Sequence, residues 1–323
     1  MHQRKWLTPL IIIAVAFLLG LFPLSTPDVY WLSMFFIVLV FVSLTVSWNI
    51  IGGYAGYLSF AHAGFFGIGL YTTSLLLVYL GWSPFYGALV GGVVAAVFAL
   101  LVGYPTLRLK GPYFALITLI FPLALKSLIL NLDSTGGSVG FYLRLPAFDI
   151  FTSRTIFYEA MLLITALVLI IAWSVEKSKF GLGLFAIRED EEAAQTVGIK
   201  TTRLKMGAFA LSSFLAAVIG GIYGYYSTYV NPEVAFNINW SLFVVLMALF
   251  GGRDSWMGAA LGAAVLTLLS EQLKIYAGAE LSNIIYGVLL ALVIIYLPNG
   301  VMGYIQTSIK TLQRRIAGSK GKN

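Results

Sequence analysis

Few side chains in this sequence could do chemistry, and their scarcity is informative. The 323 residues include two histidines, His2 and His62, and no cysteine. The two histidines are too far apart in the chain to read as a zinc-binding pair, and the lack of cysteine excludes thiolate metal sites, cysteine nucleophiles and disulfides. The HExxH and GxSxG patterns are absent. The run Gly-Ser-Lys-Gly-Lys at 318–322 lacks the spacing of a phosphate-binding loop, so the chain has no nucleotide-hydrolysing motif of its own. No metal, cofactor or enzymatic activity is expected. Inside the apolar stretches, ionisable groups are sparse. Lys126 stands late in one of them, where a lysine extends its stem to the interface. Glu271 stands at the end of another and reads as interfacial. His62 falls in a glycine-rich break, where a lone histidine is expected to hydrogen-bond a neighbouring helix rather than a ligand. Carriers coupled to protons or sodium place carboxylates or histidines at mid-membrane depth. No such carboxylate is found, so energy must come from another protein, or the chain is a passive channel.

Charge is densest at 175–205. A helix-forming run over 186–197 contains Arg188, Glu189, Asp190, Glu191 and Glu192 and stops at Gly198. Acids at its front suit the helix dipole, and the glycine suits its end. Ile187, Ala194 and Val197 fall near one face, which gives the helix a surface to bury. A solvated loop helix is the plain reading. The sharper one is a lever by which a soluble motor protein moves the membrane-embedded remainder.

That remainder must position the lever. Hydrophobic residues make up 59% of the chain and charged residues 10%, with mean hydropathy +0.91, whereas soluble domains carry about 25% charged residues. Long continuous apolar runs predict an all-α polytopic membrane protein and argue against a β-barrel. The runs fall at 7–23, 29–50, 61–80, 85–103, 113–131, 156–174, 206–229, 240–251, 256–271 and 283–298. The pair 240–251 and 256–271 is short enough to be broken half-helices, so eight to ten spans are expected, all in one domain over 1–323. The first run is long for a signal peptide and ends without a cleavage site, which predicts a retained helix. Basic residues cluster at Arg4 and Lys5, at Arg108 and Lys110, through 175–205, and in the tail over 303–323. Together these put both termini in the cytoplasm and the 132–155 segment outside. The net charge of +7 is thereby explained without a nucleic-acid partner. The tail reads as an amphipathic helix on membrane lipid followed by disorder. Two Gly-Gly breaks, at Gly52-Gly53 and Gly251-Gly252, each interrupt an apolar run. They fit either tight packing or the trace of an internal repeat.

The stretch Glu192-Ala193-Ala194-Gln195-Thr196-Val197-Gly198 resembles the Glu-Ala-Ala-x-x-x-Gly core of the cytoplasmic loop of ABC-importer permeases. More widely, 44–72, 107–119, 131–140, 180–199, 205–224 and 249–263 resemble the branched-chain amino-acid permeases of the LivM type, in family order and over most of 44–300. The Ile-x-Leu-Pro that often closes the loop motif is absent, with Phe209-Ala210-Leu211 nearby. The Gly-Arg common in the family is replaced by Gly181-Leu182-Gly183-Leu184. The resemblance implies a homologous second permease, two ABC ATPase subunits, an extracytoplasmic substrate-binding protein, a small-molecule substrate and a multi-pass location in a prokaryotic cytoplasmic membrane. It implies ATPase coupling through Arg188, Glu189, Glu192, Ala193, Ala194 and Gly198. It further implies a path shaped by Ser59, His62, Thr118, Thr135, Gly136 and Gly137 beside the breaks at Gly52, Gly53, Gly251 and Gly252. Leucine, isoleucine and valine are the expected cargo, with urea, short amides or another small polar solute as the alternative within the class.

Overall fold

A computed structural model describes residues 7–25, 28–109, 111–143, 148–296 and 300–303. Arg4, Lys5, Lys110, Arg144 and the basic tail beyond Gly303 lie outside them. Nine helices among the described residues are long and apolar enough to cross a membrane. In chain order the helices are α1 (Leu7–Gly20), α2 (Phe22–Ser25), α3 (Val29–Asn49), α4 (His62–Leu80), α5 (Pro84–Thr106), α6 (Pro112–Leu130), α7 (Ile150–Lys177), α8 (Lys179–Glu189), α9 (Glu191–Thr196), α10 (Thr201–Ser227), α11 (Pro232–Ala235), α12 (Asn239–Gly251) and α13 (Trp256–Tyr296). The expected spans 256–271 and 283–298 fall on two helices that meet at a kink within α13, with 297 and 298 outside the described residues. α13 leaves helical geometry at Gly278 (φ 76°) and is helical again through Tyr296.

α3, α4 and α10 form the centre, and each buries residues all round its circumference. α4 and α10 approach at backbone distance. Gly69 lies on the main chain of Ala217, and Gly220 on the main chain of Phe66, so a Cβ at either position would overlap backbone. α1 and α6 lie at the periphery and expose Leu10, Phe17, Leu18, Leu116 and Ile120, as helices facing lipid or a partner subunit do.

Contacts sort the connections into two ends. At one end Arg188 reaches Asp254, Tyr57 reaches Glu191, and Lys205 reaches the carbonyl of Leu107. At the other, β1 (Phe141–Tyr142) pairs antiparallel with β2 (Tyr229–Val230), and Lys126 pairs with Glu233 at 2.5 Å. The first end carries the loops read as cytoplasmic and the second those read as outward-facing. Lys126 thus extends to that end, as expected of it, and there bonds an exposed glutamate of α11.

A repeat does emerge, though not the expected one. Ile51–Ser59 (IGGYAGYLS) and Ile219–Ser227 (IGGIYGYYS) share the pattern I-G-G-x-x-G-Y-x-S. The first closes α3 at the inner end and the second closes α10 at the outer end, so the two copies run in opposite directions. The Gly251-Gly252 break, by contrast, lies at the same end as Gly52-Gly53.

Two further expectations are corrected. The helix anticipated over 186–197 is broken at Asp190, into α8 and α9. Lys205, read as a loop residue, lies inside α10 and is buried.

Candidate coupling site

The inner end is built around an interruption. α3 widens into a π-helical turn over Ile50–Tyr54, and the chain then runs non-helically to His62. Tyr57 N donates to Ile51 O at 3.2 Å, so the Gly53 carbonyl is not taken by the amide four residues on. Arg188 takes it instead. Its Nη1 donates to Gly53 O at 3.1 Å and to Asp254 Oδ1 at 2.8 Å. Gly56 has φ +76° and packs against the Arg188 side chain, where a Cβ would collide with Cγ. One guanidinium, with its rigid fork of donors, thereby joins α8, the first Gly-Gly break and the loop that follows the second.

A second clasp lies one turn along. Glu191 accepts from Tyr57 Oη at 2.6 Å and from Lys205 Nζ at 2.5 Å. Lys205 also donates to Tyr57 Oη at 2.8 Å and to Leu107 O at 2.9 Å. The lysine side chain is only 5% exposed and the glutamate 14%, so each charge depends on the other. Burial pushes the Glu191 carboxyl up, but the bonds from Lys205 and Tyr57 outweigh it and hold the group below the ordinary glutamate value. Burial, together with the neighbouring carboxylate, raises the Tyr57 phenol. Four segments thus meet on one ion pair: the break, the turn after α5, α9 and α10.

The α9 surface faces outward beyond these clasps. Asp190 interrupts the helix because its side chain caps the next one, accepting from Glu192 N at 2.9 Å and Ala193 N at 3.0 Å. Gly198, at φ +86°, ends it. Ala194 is buried, as is Ile187 on α8, while Glu189, Glu192 and Ala193 are exposed. Val197 was expected on the buried face and is instead 76% exposed, because the break at Asp190 re-aims the last turn. An apolar tip on an acidic helix is thus presented away from the bundle.

Behind the clasps is a cavity of about 700 Å³ between the break and the first half of α6, lined by Gly56, Tyr57, Phe60, Phe114, Arg188 and Glu191 among others. Thr118 Oγ1 accepts from Phe60 N at 3.0 Å and so ties α6 to the break. Ser59 stands beside it, its carbonyl accepting from Trp48 Nε1 at 2.7 Å. His62 is buried, but neither ring nitrogen has a partner among the described residues, contrary to the expected helix–helix bond. Thr135, Gly136 and Gly137 form a tight turn at the opposite end, where Thr135 Oγ1 donates to Leu132 O at 2.6 Å. The expected path residues are therefore split between two ends.

Reading the residues alone missed Tyr57, Glu191, Lys205 and Asp254 as partners. Lys205 carried a usable signal, because it is a charge with apolar neighbours on both sides of α10's first turns. No local period links it to Glu191.

A family model described as the permease component of branched-chain amino acid transport systems matches residues 29–294. The chain belongs to that permease family. LivM, the high-affinity branched-chain amino acid transport system permease protein of Salmonella typhimurium, is 29% identical over 345 aligned positions covering 98% of this chain and 79% of the relative. LivM of Escherichia coli is 29% identical, with 95% and 77% covered. LivH of Escherichia coli, also named a high-affinity branched-chain amino acid transport system permease protein, is 24% identical, with 80% and 90% covered. No solved structure matches this permease. Its nine apolar helices among the described residues make it a multi-pass membrane protein.

Proposed function

We propose that this permease is the membrane-spanning half of an ATP-driven importer for leucine, isoleucine and valine in a prokaryotic cytoplasmic membrane. A homologous permease of the LivH kind completes the pore, two ATPase subunits sit beneath it, and an extracytoplasmic binding protein delivers cargo. The observation that carries this reading is the double clasp between α8–α9 and the break in α3. A push on the exposed α9 surface has a direct mechanical route, through Arg188 to Gly53 and through Glu191 to Tyr57, into the segment that lines the inner cavity. Conformational work of this kind needs an element that can rearrange, and a π turn beside an unwound stretch is a candidate, since such turns recur at functional sites. The family match and the LivM and LivH relatives supply the cargo class.

The test is uptake of radiolabelled leucine by cells with and without this chain, competed by valine and by urea, with the tagged chain purified in parallel. Chain-dependent uptake blocked by valine, together with a co-purifying ATPase, is expected. Glu192→Lys combined with Gly198→Pro should abolish both uptake and co-purification. Uptake that persists in that variant sinks the coupling role, and competition by urea but not valine sinks the cargo.

A further inference from the structure

The coupling segment is divided by charge. Its acidic residues gather on α9 and the end of α8, whereas Lys179, Lys200 and Arg203 surround a separate groove of about 540 Å³ between α8 and the start of α10. None of the three cations has a hydrogen-bond or ion-pair partner among the described residues, and all three are exposed. Lys177, next to them in sequence, is already paired with Glu176 at 2.8 Å. The groove floor and wall are apolar, made by Ile199, Leu204 and Leu182, the last 63% exposed. It lies where α7 has just ended and α10 is just beginning, the adjoining ends of two helices long and apolar enough to cross a membrane, which is where lipid headgroups would meet them. A cytoplasmic protein surface would need to match the cations but would gain nothing from a leucine at membrane depth. A phospholipid needs both features together, a cationic cluster for phosphate and an apolar wall for the first methylenes of an acyl chain.

We infer that the groove formed by Lys179, Lys200 and Arg203 with Leu182 is a binding site for an anionic phospholipid of the inner leaflet. The lipid bridges the two helices on either side of α9, α8 at its N-terminal end and α10 at its first turn. It therefore fixes the base against which α9 pivots. This site is independent of cargo and of which partner drives α9.

The chain, purified in zwitterionic detergent, is titrated with phosphatidylglycerol and separately with phosphatidylcholine, and binding is read by mass of the intact complex. Each juxtamembrane cation is worth a factor of about five towards anionic headgroups, so Lys179→Gln, Lys200→Gln and Arg203→Gln together should weaken phosphatidylglycerol binding on the order of a hundredfold. The charge-preserving set Lys179→Arg, Lys200→Arg and Arg203→Lys should keep it. In the unmodified protein, phosphatidylglycerol but not phosphatidylcholine should shield Lys179 and Lys200 from an amine-reactive label, a readout that needs no variant. Unchanged binding in the glutamine set, labelling unaffected by lipid, or equal shielding by inorganic phosphate overturns the proposal. So does a glutamine set that loses a cytoplasmic protein partner while still binding the lipid.

Discussion

The nonapeptide pattern that closes α3 also closes α10, yet the two copies fold differently. At the outer end, Ile219–Ser227 remains helical to its last residue and then turns through Thr228, at φ 60°, into the β1–β2 pair. At the inner end, Ile51–Ser59 opens into a π turn and unwinds. Each copy is met by an arginine, at a different carbonyl. Arg154 reaches Tyr226 O at 3.3 Å, near the end of its helix, and stacks its guanidinium 4.1 Å from the Tyr226 ring. Arg188 takes Gly53 O, a carbonyl inside the copy, and a buried lysine and a partly buried glutamate then hold Tyr57. The outer copy is fixed by a single arginine bond, rings and the backbone pairing just beyond its end, the inner by a cluster of charge-assisted bonds. Directional charged bonds can be broken and remade at one place; a close-packed helix crossing cannot.

The largest expected effect tests whether charge is what holds the inner copy. Lys205→Met leaves Glu191 partly buried without its cation, at a cost of about 3 kcal/mol. Thermal unfolding of the purified chain measures it. Adding Glu191→Leu should recover most of the loss, because replacing both partners removes the stranded charge. If the double variant is as unstable as the single, packing rather than the ion pair holds this end. A methyl placed at the outer copy should act through sterics alone. Gly220→Ala drives a Cβ into the Phe66 main chain, costing about 2 kcal/mol, and no second-site charge change should relieve it.

The sequence showed the membrane spans, the sorting of charge to their ends and the charged segment between α7 and α10, because those properties are local: run length, the placement of lysine and arginine, and a cluster of acids ending in glycine. Asp190 shows where local reading fails. A run of good helix formers predicts one helix, but an aspartate whose side chain caps the following turn splits it, and that geometry decides where Val197 points. The bonds from Tyr57 to Glu191 and from Arg188 to Gly53 each span more than a hundred residues of chain. Nothing in the periodicity of either segment encodes its partner. His62 marks the opposite limit, since nothing in its neighbourhood in the sequence announced that its ring nitrogens would have no partner among the described residues.

Smaller changes at the two arginines should separate the ends by function. Arg188→Gln removes one charge-assisted bond to a carbonyl and one to the exposed Asp254, a loss of about 1.5 kcal/mol. Its main effect should be on transport: leucine uptake falls severalfold while the ATPase still co-purifies, because the push no longer reaches Gly53. Arg154→Gln loses a ring contact and one bond at the outer end, about 1 kcal/mol, with uptake close to unchanged. Equal uptake defects in the two variants would erase the functional distinction between the copies.

The mildest perturbation is pH. The Glu191 carboxyl is held below its ordinary value by Lys205 and Tyr57 in the folded chain. A carboxyl depressed on folding contributes stability above its unfolded value, roughly pH 4.3, and that contribution is lost as pH falls through the lower folded value. Between pH 5 and 8 the clasp should therefore be indifferent to pH, and unfolding temperature should not track this group. Below about pH 4 the wild-type chain should lose stability more steeply than the Lys205→Met, Glu191→Leu double variant, which has no such carboxylate to protonate. The outer copy draws its stability from main-chain pairing and aromatic contacts, so protection of the Leu143 amide, which donates to Thr228 O at 2.7 Å, should persist to lower pH than protection of the Tyr57 amide. Hydrogen exchange across that range distinguishes the ends directly: simultaneous release of both amides would mean that the molecule opens as one unit and that the inner clasp is not a separable element.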